Sequence, residues 1–321
     1  MRLLHTLEKT MRAPKPLLSM AAFLFLAIQV GNGAEFADRA FTQYHQTTFA
    51  SAFQRYAKLK NGDGDVHARY SPAAAALGYH STHGPFNVGF ALSYEQGTRK
   101  YSGDGYDYKV KSGTPGITLF SGLTTPFGLY VESSTFLGYG TFKGKNYYSP
   151  GTGRLGGTGK EHSFLFASYL EAGLILELPL GTVLSPHVGL EYARSPGQTY
   201  SWEAGGGRRL SYRSQDSLEA SAGLTLASTI RMGVIKITPS LDLTVFDSIG
   251  KKNLNYHPGF AYRTAKEWRV AGVGGDHVGG RAKAGLDVSF GEKAQLGVDY
   301  SHERRKGYYD HRVTARIGWS F

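Results

Sequence analysis

From near residue 40 onward the chain alternates apolar and polar residues with a period of two, in runs broken by Gly, Pro, Asp and Asn. This pattern predicts twelve strands, near 40–57, 66–82, 86–97, 106–122, 127–143, 161–178, 183–195, 212–231, 234–248, 279–290, 294–304 and 310–321. Five connections are tight: His83-Gly-Pro85, Leu123-Thr-Thr-Pro126, Pro179-Leu-Gly-Thr182, Met232-Gly233 and Gly291-Glu-Lys293. Between them lie longer segments, 58–65, 98–105, 144–160, 196–211, 249–278 and 305–309. Short and long alternate without exception. An antiparallel barrel crossing an outer membrane does this, with short turns on the periplasmic side and longer loops outside. An even strand number then puts both ends of the barrel on the short-turn side. Ala73–Ala76 and Ser112–Gly116 are the two stretches that alternate poorly.

Between the strand ends one parity reads apolar, as a lipid-facing wall requires, least clearly in the first, second and fourth strands. It runs through Val88, Phe90 and Leu92; Leu218, Ala220, Ala222, Leu224 and Leu226; Ile235, Ile237, Leu241, Leu243 and Val245; Ala284, Leu286 and Val288; Leu296 and Val298. Its aromatic residues sort by strand end. Phe86, Phe127, Phe290, Trp319 and Phe321 fall on the periplasmic side; Tyr94, Tyr139, Tyr192 and Tyr300 fall on the outer side. Two such girdles are expected where rings sit at headgroup depth, and a soluble sandwich has no reason to sort them so. The last strand sets Val313, Ala315, Ile317, Trp319 and Phe321 against Arg312, Thr314 and Arg316. Its aromatic ending at Trp319 and Phe321 resembles the C-terminal assembly signal of bacterial outer-membrane proteins. The resemblance implies that the barrel-assembly machinery reads it.

The opposite parity is polar and charged. Glu95, Glu132, Glu171, Glu191, Glu219, Asp242, Asp287, Asp299 and Glu303 stand against Arg231, Lys236, Arg281, Lys283, Arg312 and Arg316, with His187 on the same face. This face is expected to line a solvated lumen. Lys283 or Asp287 is expected to pair with Asp299 and Arg316 across the last three strands. The plainest role of these charges is to stiffen the wall.

Composition agrees with a barrel. No stretch after the leader resembles a helical membrane anchor, and mean hydropathy is −0.29; together these exclude a helical membrane protein but not strands apolar only at every second residue. The chain holds 43 Gly, 21 Tyr and 18 Phe, a load of turn-permissive and interfacial residues, and no Cys. Disulfides and cysteine-based metal sites are therefore excluded. Arg2, Lys9, Arg12 and Lys15 precede an apolar run from Leu17 to Val30, and small residues follow at Gly31-Asn-Gly33-Ala34. Residues 1–34 thus read as an export signal, started from Met1 or Met11, ahead of a barrel domain over 35–321. The expected localisation is the cell outer membrane.

Net charge is +11. The leader accounts for +3 of it, four basic residues less Glu8, which leaves +8 for the remainder. The excess gathers in the outer connections, at Lys145, Arg154 and Lys160, at Lys251, Lys252, Arg263, Lys266 and Arg269, and at Arg305 and Lys306. Outer-membrane lipids and anionic lipopolysaccharide around the rim are the expected partners, with an external polyanion or host surface as the alternative. Nucleic acid is not expected, because no recognition helix or stacking module accompanies the charge. Nothing suggests an oligomer interface, so a monomer is expected.

Catalytic signatures are missing from the sequence. No Gly-x-Ser-x-Gly elbow, phosphate loop or His-Glu-x-x-His helix occurs. His80 and His83 at a turn lack a third acidic ligand, and Asp276-His277 and Asp310-His311 near the outer rim lack a partner constellation. No enzyme, cofactor or metal site is expected.

Three stretches resemble the autotransporter β-domain over nearly the whole length after the leader. The first is Asn61-Gly-Asp-Gly-Asp65 with Leu77-Gly-Tyr79, Asn87-Val-Gly-Phe90 and Leu92-Ser-Tyr94; the second is Leu184-Ser-Pro-His-Val-Gly-Leu-Glu-Tyr192. The third is Gly297-Val-Asp-Tyr300, Tyr309-Asp-His311 and Trp319-Ser-Phe321. The resemblance implies an all-β fold, a transmembrane antiparallel barrel of twelve strands. It also implies a passenger and a pore-threading helix ahead of the barrel, yet only Glu35 to Ala40 separate leader from first strand. The expectation is a barrel acting without its own passenger, as a non-enzymatic pore or surface structural protein. The alternatives are a porin-like diffusion channel for small solutes and an adhesin working through the basic outer loops.

Overall fold

The computed structural model describes residues 44–60, 67–103, 106–148, 155–195, 199–202, 208–211, 215–249, 278–305 and 308–320. The leader, the Asn61–Asp65 motif, the segment holding Asp276-His277, and Arg154, Lys251, Lys252, Arg263, Lys266, Arg269, Lys306 and Phe321 lie outside them.

The described residues form sixteen strands in order: β1 Tyr44–Lys60, β2 His67–His83, β3 Phe86–Gly103, β4 Tyr106–Thr124, β5 Leu129–Tyr148, β6 Leu155–Leu174, β7 Leu176–Leu178, β8 Thr182–Ser195, β9 Thr199–Trp202, β10 Arg208–Ser211, β11 Gln215–Ser228, β12 Ile230–Met232, β13 Ile235–Ser248, β14 Val278–Phe290, β15 Ala294–Arg305 and β16 Tyr308–Ser320. Each long strand pairs antiparallel with its chain neighbours, β8 with β6 and β11, and β1 closes the ring on β16 from Thr47↔Ser320 to Leu59↔Tyr308. β7 prolongs β6 beyond Ile175, β12 prolongs β11 beyond Thr229, and β9 and β10 form a separate hairpin between β8 and β11. The result is a closed barrel of twelve staves. Closure leaves no sheet edge to be satisfied in lipid, which is the condition for a sheet to span a membrane.

The predicted staves are all present, but several run further outward than expected. Alternation predicts strand ends at 97, 143 and 304; β3, β5 and β15 continue to Gly103, Tyr148 and Arg305. The expected loops 98–105 and 305–309 shrink to two-residue connections, and 196–211 contains the β9–β10 hairpin. The reason is physical. Above the bilayer both faces of a hairpin meet water, so alternation stops while the backbone ladder continues. About ten residues suffice to cross the hydrocarbon core, whereas β5 and β6 have 20 each. The surplus stands up as a wall on the β3–β6 side, and Leu155 to Leu165 of β6 pass beyond the last residue of β8 paired with it. The two poorly alternating stretches sit inside β2 and β4. The ladder skips beside Pro72 and Pro115, which have no N–H to offer, and resumes in the same register.

The periplasmic turns are short. Gly84, Gly233 and Gly291 adopt positive φ at three of them. The turn between β7 and β8 is different. Leu180 has φ 64° and ψ 29° and is exposed, followed by Gly181 at φ 68°. A leucine in the left-handed region costs roughly 1–2 kcal/mol. Leu180→Asn, which tolerates that region, is therefore expected to stabilise the barrel by about 1 kcal/mol. The check is a higher urea midpoint for the form that resists SDS without boiling; an unchanged midpoint contradicts it.

Candidate functional site

The outward face is apolar and exposed, as lipid contact requires. Leu77, Leu92, Leu137, Val188, Leu224, Leu243, Leu286 and Val298 all lie bare on it. Phe86, Phe127, Phe290 and Trp319 ring the periplasmic end, and Tyr94, Tyr139 and Tyr300 the outer end. The sorting of phenylalanine from tyrosine is not absolute: exposed Phe164 packs edge-on against Tyr139 at 5.0 Å between centroids.

The inward face carries the candidate site, a lumen wall whose charged side chains are held in groups. On the last three staves, Asp299 bridges Arg316 at 3.2 Å and Lys283 at 3.6 Å, and Arg316 also reaches Asp287 at 2.8 Å. Register places these residues together: Gly285↔Asp299, Asp287↔Gly297 and Gly297↔Arg316. The glycines leave room for the side chains beside them.

Nearer the outer mouth, Glu303 accepts from Arg281 and Arg305 at 3.0 Å each, and Arg305 also reaches Glu219 at 2.6 Å and the Ser248 hydroxyl at 3.2 Å. Phe246 lies beneath this group, with the Arg305 guanidinium 4.2 Å and that of Arg281 5.5 Å from its ring centre. Beside it, Asp310 is buried against Arg55 and accepts from the Tyr308 hydroxyl at 3.0 Å, and Arg312 lies over Phe53 at 5.4 Å.

The other half of the lumen is less cationic. Asp242 accepts from the hydroxyls of Thr225 and Thr244, both at 2.7 Å, with His187 Nε2 at 3.5 Å. Glu171 accepts from Tyr130 at 2.8 Å and from Tyr169, and stands opposite the buried Glu132. Glu95 accepts from Tyr70 at 2.6 Å, and Arg99 covers that tyrosine's ring at 4.6 Å. Glu191 occupies the position between Tyr169 and Glu219. Arg231 is exposed at the periplasmic turn opposite Lys236.

Three residues expected in outer loops lie in strands. Lys145 and Lys160 are in β5 and β6, exposed on the outward face, and Arg305 ends β15 with its side chain turned into the lumen. The extended hairpins are the cause. His80 faces inward, buried against Phe120, while His83 is exposed on the other parity. Asp310 and His311 likewise point apart: His311 meets the Tyr300 hydroxyl at 2.7 Å on the outer wall.

Aromatic residues inside the barrel are absent from the sequence reading, which assigns rings to the girdles. Phe49 lies on Gly78, Phe120 on Gly89, Phe136 on Gly116, and Tyr130 on Gly173, each ring against a neighbouring stave at a point without a side chain. For Phe49, Phe120 and Tyr130 the available signal is an inward-parity ring facing a glycine across the register; Phe136 faces Thr118 and reaches Gly116 diagonally. This packing explains glycine at these points of the wall, since a ring can cover it only where no β-carbon stands.

The profile of the autotransporter β-domain matches residues 48–301. The chain belongs to the autotransporter β-domain family. Solved structures agree on the fold. The translocator domain of the autotransporter NalP from Neisseria meningitidis superposes with a TM-score of 0.66 at 17% identity, covering 89% of this chain and 92% of that one. The β domain of the Bordetella autotransporter BrkA gives 0.63 at 18%, covering 87% and 100%. The transport unit of AIDA-I from Escherichia coli gives 0.56 at 11%, covering 91% and 100%. A search of curated protein sequences gives no match. An autotransporter β-domain is an outer-membrane transport fold rather than an enzyme scaffold, and this one is an outer-membrane barrel.

Proposed function

We propose that this autotransporter β-domain acts as a non-enzymatic pore of the outer membrane, with the charged lumen as its conducting path. One observation carries the reading: some of the interior charges that are held in place keep side-chain surface open to the lumen. Arg281 keeps 36% of its side-chain surface accessible, and Asp287 27%. Twelve staves set the backbones on the order of 25 Å apart across the barrel, enough for side chains from both walls and water between them. The barrels it resembles, a translocator domain and a transport unit, favour conduction as well. Chemistry at the rim is disfavoured by the locking of Asp310 to Arg55 on the face opposite His311.

Reconstitution of the full chain in planar bilayers is expected to give stable single-channel steps. Arg281→Ala, which uncovers Glu303 near the outer mouth, should raise the cation-to-anion permeability ratio by about twofold, because a charge on a low-dielectric wall biases local ion concentration. Absence of steps from correctly folded protein overturns the pore and leaves a purely structural wall.

A further inference from the structure

The outward face of β1–β6 above the girdle bears a ladder of cations that the alternation pattern does not reveal. Lys58 is opposite Arg69, Arg69 opposite Lys100, Lys100 opposite Lys109, and Lys109 opposite Lys145. A second rung, two residues nearer the membrane on β4 and β5, sets Lys111 opposite Lys143 and Lys143 opposite Lys160. All eight share the outward parity, and Arg69, Lys100, Lys111, Lys143, Lys145 and Lys160 are exposed. Among the described residues none of the eight forms an ion pair.

Like charges directly opposite one another weaken a strand pair, and here they recur across six consecutive staves. Among the described residues of these staves, the register places one acidic residue, Asp107, on that parity beyond the girdle. The rest of the ring behaves differently: on β8 and β11 the outward Arg194 stands opposite Asp216, and β13 places Asp247 outward. Among the described residues the basic wall thus lacks matching negative charge on its own face, which an external anion would supply. Its height says which kind. Lys58 is two residues beyond Tyr56, Lys143 four beyond Tyr139 and Lys100 six beyond Tyr94. At about 3.3 Å per residue and a tilt near 40°, the rungs lie roughly 5–15 Å above the tyrosine girdle. That is the level of lipid headgroups and their phosphates, not of acyl chains.

We propose that this ladder is a binding belt for the phosphate groups of outer-leaflet lipopolysaccharide, seated between paired lysines on the wall rather than on the loops. A phosphate between two facing ammonium groups turns their repulsion into two charge-assisted contacts. The belt stands independently of whether the lumen conducts.

The test uses the full chain purified in detergent, titrated with bis-phosphorylated lipid A and with lipid A stripped of both phosphates. Binding is expected only to the phosphorylated lipid and is expected to weaken steeply with salt. The triple variant Lys100→Gln, Lys109→Gln, Lys145→Gln should weaken it at least tenfold. The loop triple Lys251→Gln, Lys252→Gln, Lys266→Gln should leave it within twofold. Both variants are first shown to resist SDS without boiling. Wild-type titrations decide independently of any variant: equal affinity for the stripped lipid overturns the proposal. So does loss of binding in the loop triple alone, or a wall triple that keeps the lipid and loses only a soluble sulfated polysaccharide.

Discussion

Gly279→Val is expected to remove most of the folded, SDS-resistant form of the protein, and a second change, Phe246→Ala, to restore much of it. A β-carbon at 279 would overlap the ring of Phe246 and come within 2.8 Å of Arg305 Cγ. Phe246 is buried at 3% exposure, so its ring has nowhere to retreat except into the arginines stacked on it. Overpacking of this kind costs about 1–3 kcal/mol. Displacing the ring also costs two cation–π contacts, roughly 0.5–1 kcal/mol each, and disturbs the Arg305 bridges to Glu219 and Glu303. A total of about 3 kcal/mol or more is expected, against a strand propensity that favours valine over glycine. Gly280→Val is the control. Its β-carbon finds nothing nearer than 3.8 Å, so that variant should fold like the wild type or slightly better. The urea midpoint of the SDS-resistant band measures both; equal loss in the two variants would show that the strand, not the ring, rejects the side chain.

This glycine shows where sequence reading stops. Each tight turn sets the register of its hairpin: once His83 faces Phe86, every pair of β2 and β3 follows. Parity then sorts lipid from lumen, and the grouping of Lys283, Asp287, Asp299 and Arg316 was legible on those two grounds. Parity does not tell how long a side chain lies along the wall or what it lies on. Phe246, Phe120 and Phe136 occupy inward positions of a lumen expected to be polar, and neighbouring glycines, facing for the first two and diagonal for the third, make room for them. The outer ends were illegible for another reason. Where water replaces lipid, both faces turn polar, so Lys145 and Lys160 read as loop charges although the ladder carries them in register with Lys109 and Lys143. Arg305 was misplaced by the same cause and by one residue of strand.

Asp299→Asn is the second large effect, and it isolates charge from shape. Asp299 is 2% exposed and lies within 3.6 Å of both Lys283 and Arg316, themselves largely covered at 13% and 17%. Asparagine fills the same space above Gly285 but leaves Lys283 facing Arg316 with one carboxylate fewer between them. Removing one partner of a buried pair costs about 3–5 kcal/mol; in a lumen that admits water, the lower end, about 3 kcal/mol, is expected. Lys283→Met combined with Asp299→Asn removes the surplus cation and should recover most of the loss. Salt separates this from a packing defect. Added salt screens the strengthened repulsion between Lys283 and Arg316, so the single variant should gain stability as ionic strength rises, while the wild type, whose pairs attract, should gain nothing. Additive losses in the double variant, or an Asp299→Asn barrel indifferent to salt, would mean that Asp299 serves only as a spacer, and the lumen charges would then lose their role in holding the last three staves together.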